Sequence, residues 1–233
     1  MTARVLVTRA EPGAARTCKR LEALGYDPVD AATARIVPFD PELRLVPGEA
    51  VAVTSPNGAA AAARLTDLRS GPVFTVGDAS AAAARDHGFT RVTSAGGDGA
   101  ALAALITAEG PDGVVHVRGR DQQFNLVAAL TQAGVPARSV IAYAAEPVDA
   151  LRPETIAALK AGAAVLIHSP RGAERFCALA RQAGALTALR GAPFAAISEA
   201  AAEPLRTAGA SRIAVAETPD EAALMTALER ALR

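Results

Sequence analysis

The chain has 233 residues, of which 51% are hydrophobic, and its 24 basic residues balance its 24 acidic ones. This composition is typical of a soluble globular protein with one large domain or two small ones. It argues against a disordered chain and against a protein that coats nucleic acid, because neither sign of charge is in excess.

The sequence carries no signal for a metal centre, a disulfide framework or a membrane span. Its two cysteines, Cys18 and Cys177, fall in separate helical patterns, and its three histidines are not spaced like zinc ligands. No apolar run reaches the ~18 residues that a membrane helix needs. A strand pattern begins at Arg4, which leaves no room for a signal peptide. We therefore expect a cytoplasmic protein that binds neither nucleic acid nor membranes.

Strand and helix patterns alternate along the whole chain. An apolar strand, Arg4–Thr8, is followed by Arg9 and by a helix that ends at Gly25, and a long connection comes next. Three strand–helix units follow, beginning at Ala50, Pro72 and Arg91. A fourth unit, Gly113–Gly134, resembles the first, because its apolar strand is also followed by an arginine. After a second long connection, three further units begin at Ala163, Pro193 and Arg212.

One strand–turn–helix stretch occurs twice in this series. In both copies an apolar strand leads into a Ser-Pro turn and a helix, over Val51–Leu65 and Val165–Leu179. Ser55 and Ser169 are suited to cap these helices, and proline is favoured in the first helical turn. The sequence therefore predicts an α/β fold with two similar domains, each a parallel sheet flanked by helices.

The units can be divided between the two domains in two ways. Either each copy forms its own domain, or the first units of the two copies are exchanged. The exchanged arrangement explains why long connections occur at two places only, because loops within compact α/β units are short. It gives a discontinuous domain of residues 1–32 and 147–233, a second domain of residues 40–138, and paired linker strands at 33–39 and 139–146.

Ligands of open parallel sheets bind outside the carboxyl ends of the strands. The residues predicted at these ends are rich in glycine, serine and arginine, and they form no catalytic triad. Facing strand ends on two domains would suit a large, multiply charged ligand, held by hydroxyls and by helix N-terminal N–H groups. The segments are Arg9, Thr54–Gly58, Gly77–Ser80, Ser94–Gly99, Arg118–Arg120, His168–Gly172, Ser198–Ala201 and Thr218.

The glycine-rich turn Gly96–Gly99 would let the backbone approach a ligand closely. Its spacing is not that of a dinucleotide-binding fingerprint, and the strand before it is short. The turn therefore gives little support to a nucleotide site, and a glycine-rich turn of this kind is more often only a turn.

Tyr143 lies in the second predicted linker strand and is one of two tyrosines in the chain. A phenol can donate a hydrogen bond or a proton at neutral pH, so Tyr143 is a candidate general acid. The alternative is an amphipathic linker residue with no chemical role.

Taken in order, several short pieces of the chain resemble uroporphyrinogen-III synthases, enzymes of haem and other tetrapyrrole synthesis. The matching pieces are Val5–Arg9, Val53–Gly58, Val76–Gly77 with Ser80–Ala81, Val115–Gly119, Val140–Tyr143, Ile167–Pro170 and Pro219–Leu224. The resemblance implies the exchanged two-domain fold with a two-stranded linker. It also implies a lyase without metal or cofactor, in which hydroxymethylbilane loses water and cyclises with inversion of ring D.

The same resemblance implies roles for individual residues. In it, Tyr143 donates a proton to the departing hydroxyl group, and Ser55, Ser80 and Ser169 line the substrate cleft. Together with the strand-end positions, it predicts the following substrate-binding residues: Arg9, Thr54, Ser55, Asn57, Gly77, Ser80, Gly99, Arg118, Gly119, Ser169 and Arg171. It further implies a monomer that receives its substrate from hydroxymethylbilane synthase.

The segment Ile197–Ala202 departs from the pattern of this family. The family has a glycine and then a Thr-Ala pair here, whereas this chain has Ser198 and Glu199 followed by alanines. A negative charge is unfavourable where a carboxylate binds. Either the ligand contacts on that domain are shifted, or the protein has an altered function. The alternative function is a catalytically impaired synthase-like protein that binds a tetrapyrrole or another polyanion. A two-lobed solute-binding module is disfavoured, because no signal peptide is evident.

Overall fold

The chain divides into two units, of which the computed structural model describes residues 2–122 and 124–233. The first unit comprises Met1–Arg35 and Glu146–Arg233, and the second comprises Ile36–Ala145. The first unit is therefore assembled from both ends of the chain.

Short apolar runs form the strands, and alanine-rich amphipathic segments form the helices between them. The strands are, in chain order, β1 (Arg4–Val7), β2 (Asp27–Asp30), β3 (Ala34–Pro38), β4 (Glu49–Val53), β5 (Pro72–Thr75), β6 (Arg91–Ser94), β7 (Gly113–Gly119), β8 (Ala137–Pro147), β9 (Ala164–Ile167), β10 (Pro193–Ala196) and β11 (Arg212–Val215). The helices are α1 (Gly13–Ala23), α2 (Pro56–Leu65), α3 (Asp78–Asp86), α4 (Gly99–Glu109), α5 (Leu126–Gln132), α6 (Pro153–Lys160), α7 (Pro170–Gln182), α8 (Leu186–Gly191), α9 (Glu199–Thr207) and α10 (Glu221–Leu232).

The first unit contains a five-stranded sheet in the order β11-β10-β9-β1-β2. All of its strand pairs are parallel. The N-terminal strand β1 lies between β9 and β2, with Val5 opposite Ala164 and Val7 opposite Leu166. This confirms the predicted α/β fold in which the N-terminal strand joins the C-terminal units.

The second unit contains a six-stranded sheet in the order β3-β8-β7-β4-β5-β6. Its strands β4 to β8 pair in parallel. The order β6-β5-β4-β7-β8 repeats the order β11-β10-β9-β1-β2 of the first unit, so the internal duplication includes a fifth strand. That strand, β2, was not apparent from the sequence, because its residues Asp27–Asp30 include only one valine and a proline. Proline is tolerated there because β2 is an edge strand.

The second predicted linker strand is part of a longer strand in the structure. β8 begins at Ala137, two residues before the predicted segment, and pairs with β7 from Ala137 as far as Tyr143. Residues 139–143 therefore belong to the six-stranded sheet, and β3 lies beside them at its edge. The backbone N–H and C=O groups of β7 need hydrogen-bond partners on this side, and β8 supplies them. The ladder is irregular between Arg118 and Gly119, next to the candidate site.

Each sheet is covered by helices on both faces, and successive strand residues alternate between the two layers. In the first unit, Leu6 and Val165 pack with α6 to α9, whereas Val5 and Val7 pack with α1 and α10. In the second unit, Val51 packs with α2 and α3 on one face, and the opposite face packs against α4 and α5. Among the described residues, no helix is long and apolar enough to cross a membrane.

Asp98 fixes the start of α4, because its Oδ1 accepts hydrogen bonds from the backbone N–H groups of Ala100 and Ala101 at 3.0 and 2.9 Å. We expect Asp98→Ala to lower the free energy of unfolding by about 1 kcal/mol, since an N-cap is lost. Asp98→Asn should retain most of this stability. Urea unfolding measures the effect, with the exposed Asp67→Ala as a control. Equal stability of Asp98→Ala and Asp67→Ala would contradict the capping role.

Candidate functional site

Ser55 joins the carboxyl end of β4 to the start of α2 in the second unit. Its Oγ accepts a hydrogen bond from the Gly58 N–H at 3.0 Å and so caps the helix. The same hydroxyl lies 2.7 Å from the hydroxyl of Tyr143 on β8. The Ser55 hydroxyl thus both caps α2 and contacts the phenol of Tyr143. The structure brings together two residues that the sequence proposes separately.

Gly119 makes room for the ring of Tyr143. A Cβ atom at position 119 would lie 2.7 Å from Cε2 of Tyr143 and 3.3 Å from its hydroxyl oxygen. Burial raises the pKa of Tyr143, while the hydrogen bonds with Ser55 and with the Gly119 backbone partly offset that effect. The phenol is therefore protonated at neutral pH and can act as a hydrogen-bond or proton donor.

Thr54 lies on the other side of the same turn and contacts a buried histidine. Its Oγ1 is 3.3 Å from Nε2 of His116 on β7. His116 is only 1% exposed, and burial together with the charge of Arg118 lowers its pKa from 6.5 to about 4. His116 is consequently neutral at physiological pH.

Arg118 uses part of its guanidinium to hold the backbone after β7. Its Nη1 donates to the carbonyl oxygens of Gly119 and Arg120 at 2.9 and 3.0 Å. The guanidinium of Arg120 stacks over the ring of Phe39, 5.2 Å from its centre. Arg118 therefore shapes the strand end, and its half-exposed side chain remains beside Gly119.

The other predicted residues of the second unit lie at three helix starts. Asn57 is half-buried in the first turn of α2. Gly77 precedes α3 without a side-chain cap, whereas Ser80 in the same turn is only 3% exposed. Gly99 is the first residue of α4. The side chain of Phe124 occupies the space that a Cβ atom at position 99 would need. Ser80 is thus a core residue in this structure.

In the first unit, Arg9 at the end of β1 contacts Glu221 at the start of α10. The distance from Arg9 Nη1 to Glu221 Oε2 is 3.3 Å, and the Thr17 hydroxyl donates to Oε1 at 2.5 Å. His168 Nε2 lies 3.5 Å from Oε2, outside hydrogen-bond geometry. Burial favours a raised pKa for Glu221, but the neighbouring His168, Thr17 and Arg9 outweigh it and hold the pKa at about 2. The strand end of this unit therefore contains its own carboxylate.

Ser169 caps α7 as Ser55 caps α2, with its Oγ accepting from the Gly172 N–H at 3.0 Å. Arg171 is exposed in the first turn of that helix. In the segment that departs from the family pattern, the Ser198 hydroxyl caps α9, and the Glu199 carboxylate forms an ion pair of 2.7 Å with Arg206. Arg206 offsets the negative charge that Glu199 introduces.

The sequence did not single out three residues of these clusters as site residues: His116, Thr17 and Glu221. His116 falls in an apolar strand pattern, and the other two fall in helices. The alternation of side chains along β7 places His116 on the same strand face as Arg118, a predicted substrate-binding residue. This shared face was the one indication that His116 lies near the site.

A cavity of about 450 Å³ lies at the opposite, amino-terminal ends of β4, β5 and β6, lined by Leu45, Val46, Leu68, Pro72, Phe89 and Arg91. Its walls are mainly apolar, which does not suit a ligand with many carboxylates. No group of three or more His, Cys, Asp or Glu side chains within 2–122 and 124–233 is placed to hold a metal ion.

Comparison with known proteins identifies the family. A family model described as uroporphyrinogen-III synthase HemD matches residues 15–226. The chain belongs to the uroporphyrinogen-III synthase family. This is a family of lyase-type enzymes of haem biosynthesis that act on hydroxymethylbilane. No curated protein matches the sequence significantly.

One solved synthase structure shares the fold of this family member, and a second is also similar to the chain. The crystal structure of uroporphyrinogen-III synthetase from Helicobacter pylori 26695 is 18% identical, with a TM-score of 0.67 and complete coverage of both chains. The wild-type synthase from the extremely thermophilic bacterium Thermus thermophilus is 20% identical, with a TM-score of 0.45, over 99% of this chain and 98% of that chain. The first likeness shows the fold over the whole chain.

His116 makes the stability of this synthase family member depend on pH. The ordinary pKa of a histidine is 6.5, and that of His116 is about 4 in the folded chain, so the unfolded chain binds a proton first as the pH falls. Stability is therefore complete above about pH 6.5 and decreases towards pH 4. Between about pH 7.5 and pH 5, the wild type should lose about 2 kcal/mol more free energy of unfolding than His116→Leu. Urea unfolding at several pH values measures this difference, and the exposed His87→Gln should follow the wild type.

Proposed function

We propose that this protein catalyses the dehydrating cyclisation of hydroxymethylbilane to uroporphyrinogen III, with inversion of ring D. Membership of the synthase family over residues 15–226 supports this reaction. The observation that carries the proposed chemistry is the half-buried pair of Ser55 and Tyr143, with 2.7 Å between their hydroxyl oxygens. It supports a protonated phenol beside Gly119 at the end of β7, since ligands of parallel sheets bind at the strand ends.

In the proposed step, Tyr143 protonates the departing hydroxyl group of the substrate. The electrons of the pyrrole nitrogen expel the hydroxyl as its C–O bond breaks, and the phenolic proton converts it to water. Ser55 then donates its own O–H to the phenolate oxygen while its Oγ still accepts from Gly58. When the new C–C bond closes the macrocycle, the pyrrole carbon that formed it loses its proton and the ring becomes aromatic again. Because burial disfavours the phenolate, Tyr143 takes up a proton in exchange for this one, so only water leaves.

The substrate carboxylates need donors, and we propose that strand-end hydroxyls and helix N-termini provide them. In the second unit these are Thr54, Asn57 and the backbone after Gly77, with Arg118 beside Gly119. Ser80 is the weakest of the predicted ligands, because it is buried. In the first unit the proposed donors are Arg9, Ser169 and Arg171. A carboxylate would have to compete with Glu221 for Arg9.

A second candidate function is a synthase-like protein that binds a tetrapyrrole without turnover. The segment Ser198–Ala202, which lacks the family's glycine and Thr-Ala pair, is the observation that favours it. The ion pair of Glu199 with Arg206 weakens this objection to catalysis.

We also propose a cytoplasmic monomer that receives its substrate from hydroxymethylbilane synthase.

A coupled assay separates the two functions. Porphobilinogen and purified hydroxymethylbilane synthase supply hydroxymethylbilane, and the oxidised products are resolved by chromatography. The synthase function predicts the type III isomer in excess over the type I isomer that forms without the protein. Type I isomer alone, with saturable binding of uroporphyrin III, would support the binding protein instead.

Tyr143→Phe should lower kcat about 100-fold or more, because the general acid is lost while the ring is retained. Tyr26→Phe is the matched control, since Tyr26 packs at the edge of a core of the first unit. Circular dichroism and thermal unfolding establish that both variants are folded. Wild-type kcat in folded Tyr143→Phe would remove Tyr143 from the mechanism.

Gly119→Ala should displace the Tyr143 ring, because its Cβ would lie 2.7 Å from Cε2 in a position where the ring is held by Ser55. We expect kcat to fall about tenfold or more, since general acids depend on their position. Gly71→Ala is the control, because a Cβ atom at position 71 would have no heavy atom within 4 Å beyond its chain neighbours. An unchanged kcat in Gly119→Ala would contradict the close approach.

A further inference from the structure

His116 is a polar residue in an otherwise apolar layer. It lies on β7 opposite Ala52 of β4, and by strand alternation it points to the same face as Val114. Val114 packs on that face with Leu102 of α4 and Leu126 of α5. His116 is 1% exposed among these apolar residues, so its ring has lost its hydrogen bonds to water. Its hydrogen bond to the protein therefore determines the orientation of the ring.

The single hydrogen-bond contact of His116 decides its tautomer. Nε2 lies 3.3 Å from the Thr54 hydroxyl oxygen, whereas Nδ1 is buried and has no partner among the described residues. If Nδ1 carried the hydrogen, a buried N–H group would remain unpaired, and such groups are rare in proteins. With the hydrogen on Nε2, the N–H donates to Thr54, and only a ring acceptor remains unpaired. The second tautomer is favoured.

This tautomer fixes the direction of the Thr54 hydroxyl. An Oγ1 that accepts from Nε2–H leaves its own hydrogen to donate elsewhere. Thr54 is half-buried at the carboxyl end of β4, directly before Ser55, which contacts Tyr143. The turn is therefore held from both sides, by a histidine at Thr54 and by the phenol at Ser55.

We propose that His116 is a positioning residue that orients Thr54 as a hydrogen-bond donor for a substrate carboxylate beside Tyr143. The inference rests on the proposed function for the identity of the ligand. A neutral His116 suits the role, because Nδ1 keeps no proton to lose and Nε2–H remains a donor across the physiological range.

Four variants at positions 116 and 54 test this role, and they differ in which hydrogen-bonding group they retain. His116→Leu removes the donor, and His116→Asn keeps an amide that is too short to reach Thr54. His116→Gln places an amide N–H near the position of Nε2 and should rescue binding. Thr54→Val removes the hydroxyl while retaining the shape. The exposed His87→Gln is the control.

Two measurements are made on each folded variant: steady-state kinetics with hydroxymethylbilane, and the Kd for uroporphyrin III from its fluorescence. We expect His116→Leu, His116→Asn and Thr54→Val each to raise KM and Kd roughly tenfold, as for loss of a hydrogen bond to a charged group. Their kcat should stay within about twofold of the wild type, because Tyr143 is untouched. The double variant His116→Leu/Thr54→Val should bind no more weakly than either single variant.

A merely structural role would change thermal stability and leave KM and Kd at their wild-type values, which would overturn the proposal. Additive losses in the double variant, or no rescue by His116→Gln, would also overturn it. Failure of the proposed function looks different, because the wild type would then form no type III isomer. The uroporphyrin III measurement would still test whether His116 acts through Thr54.

Discussion

Both sheets are covered by helices on both faces, and this burial restricts where polar chemistry can occur. Strand interiors such as Val5–Val7 and Val51–Val53 are almost completely buried, so polar groups collect where strands end and helices begin. Ser55 and Ser169 use these points to cap helices. We propose that the same groups bind the substrate, which would link the stability of each unit to its proposed site.

The two units use equivalent strand ends differently. In the second unit, Thr54 contacts a neutral, buried His116. In the first unit, the position equivalent to Thr54 is His168, and it lies beside Glu221, which also contacts Arg9. The duplication thus preserved the strand order while the electrostatics of the strand ends diverged.

The candidate general acid is prepared by burial rather than by a neighbouring charge. Desolvation keeps Tyr143 protonated, and Ser55 and the Gly119 backbone stabilise the oxygen when it loses its proton. The absence of a side chain at Gly119 makes this packing possible. A small number of hydroxyls and backbone groups therefore accounts for the proposed chemistry, in agreement with the balanced charge of the chain.

The sequence by itself determined the alternation of strands and helices, the internal duplication and the two Ser-Pro turns, because these depend on local patterns. It also marked Ser55, Tyr143 and Gly119 separately as candidates. Only the tertiary structure decided that they meet, since Ser55 and Tyr143 are 88 residues apart and the register of β8 on β7 brings them together. The contact of Arg9 with Glu221, 212 residues away, and that of Thr54 with His116 were equally inaccessible. Such contacts depend on which distant strands become neighbours in a sheet, and only the tertiary structure shows that order.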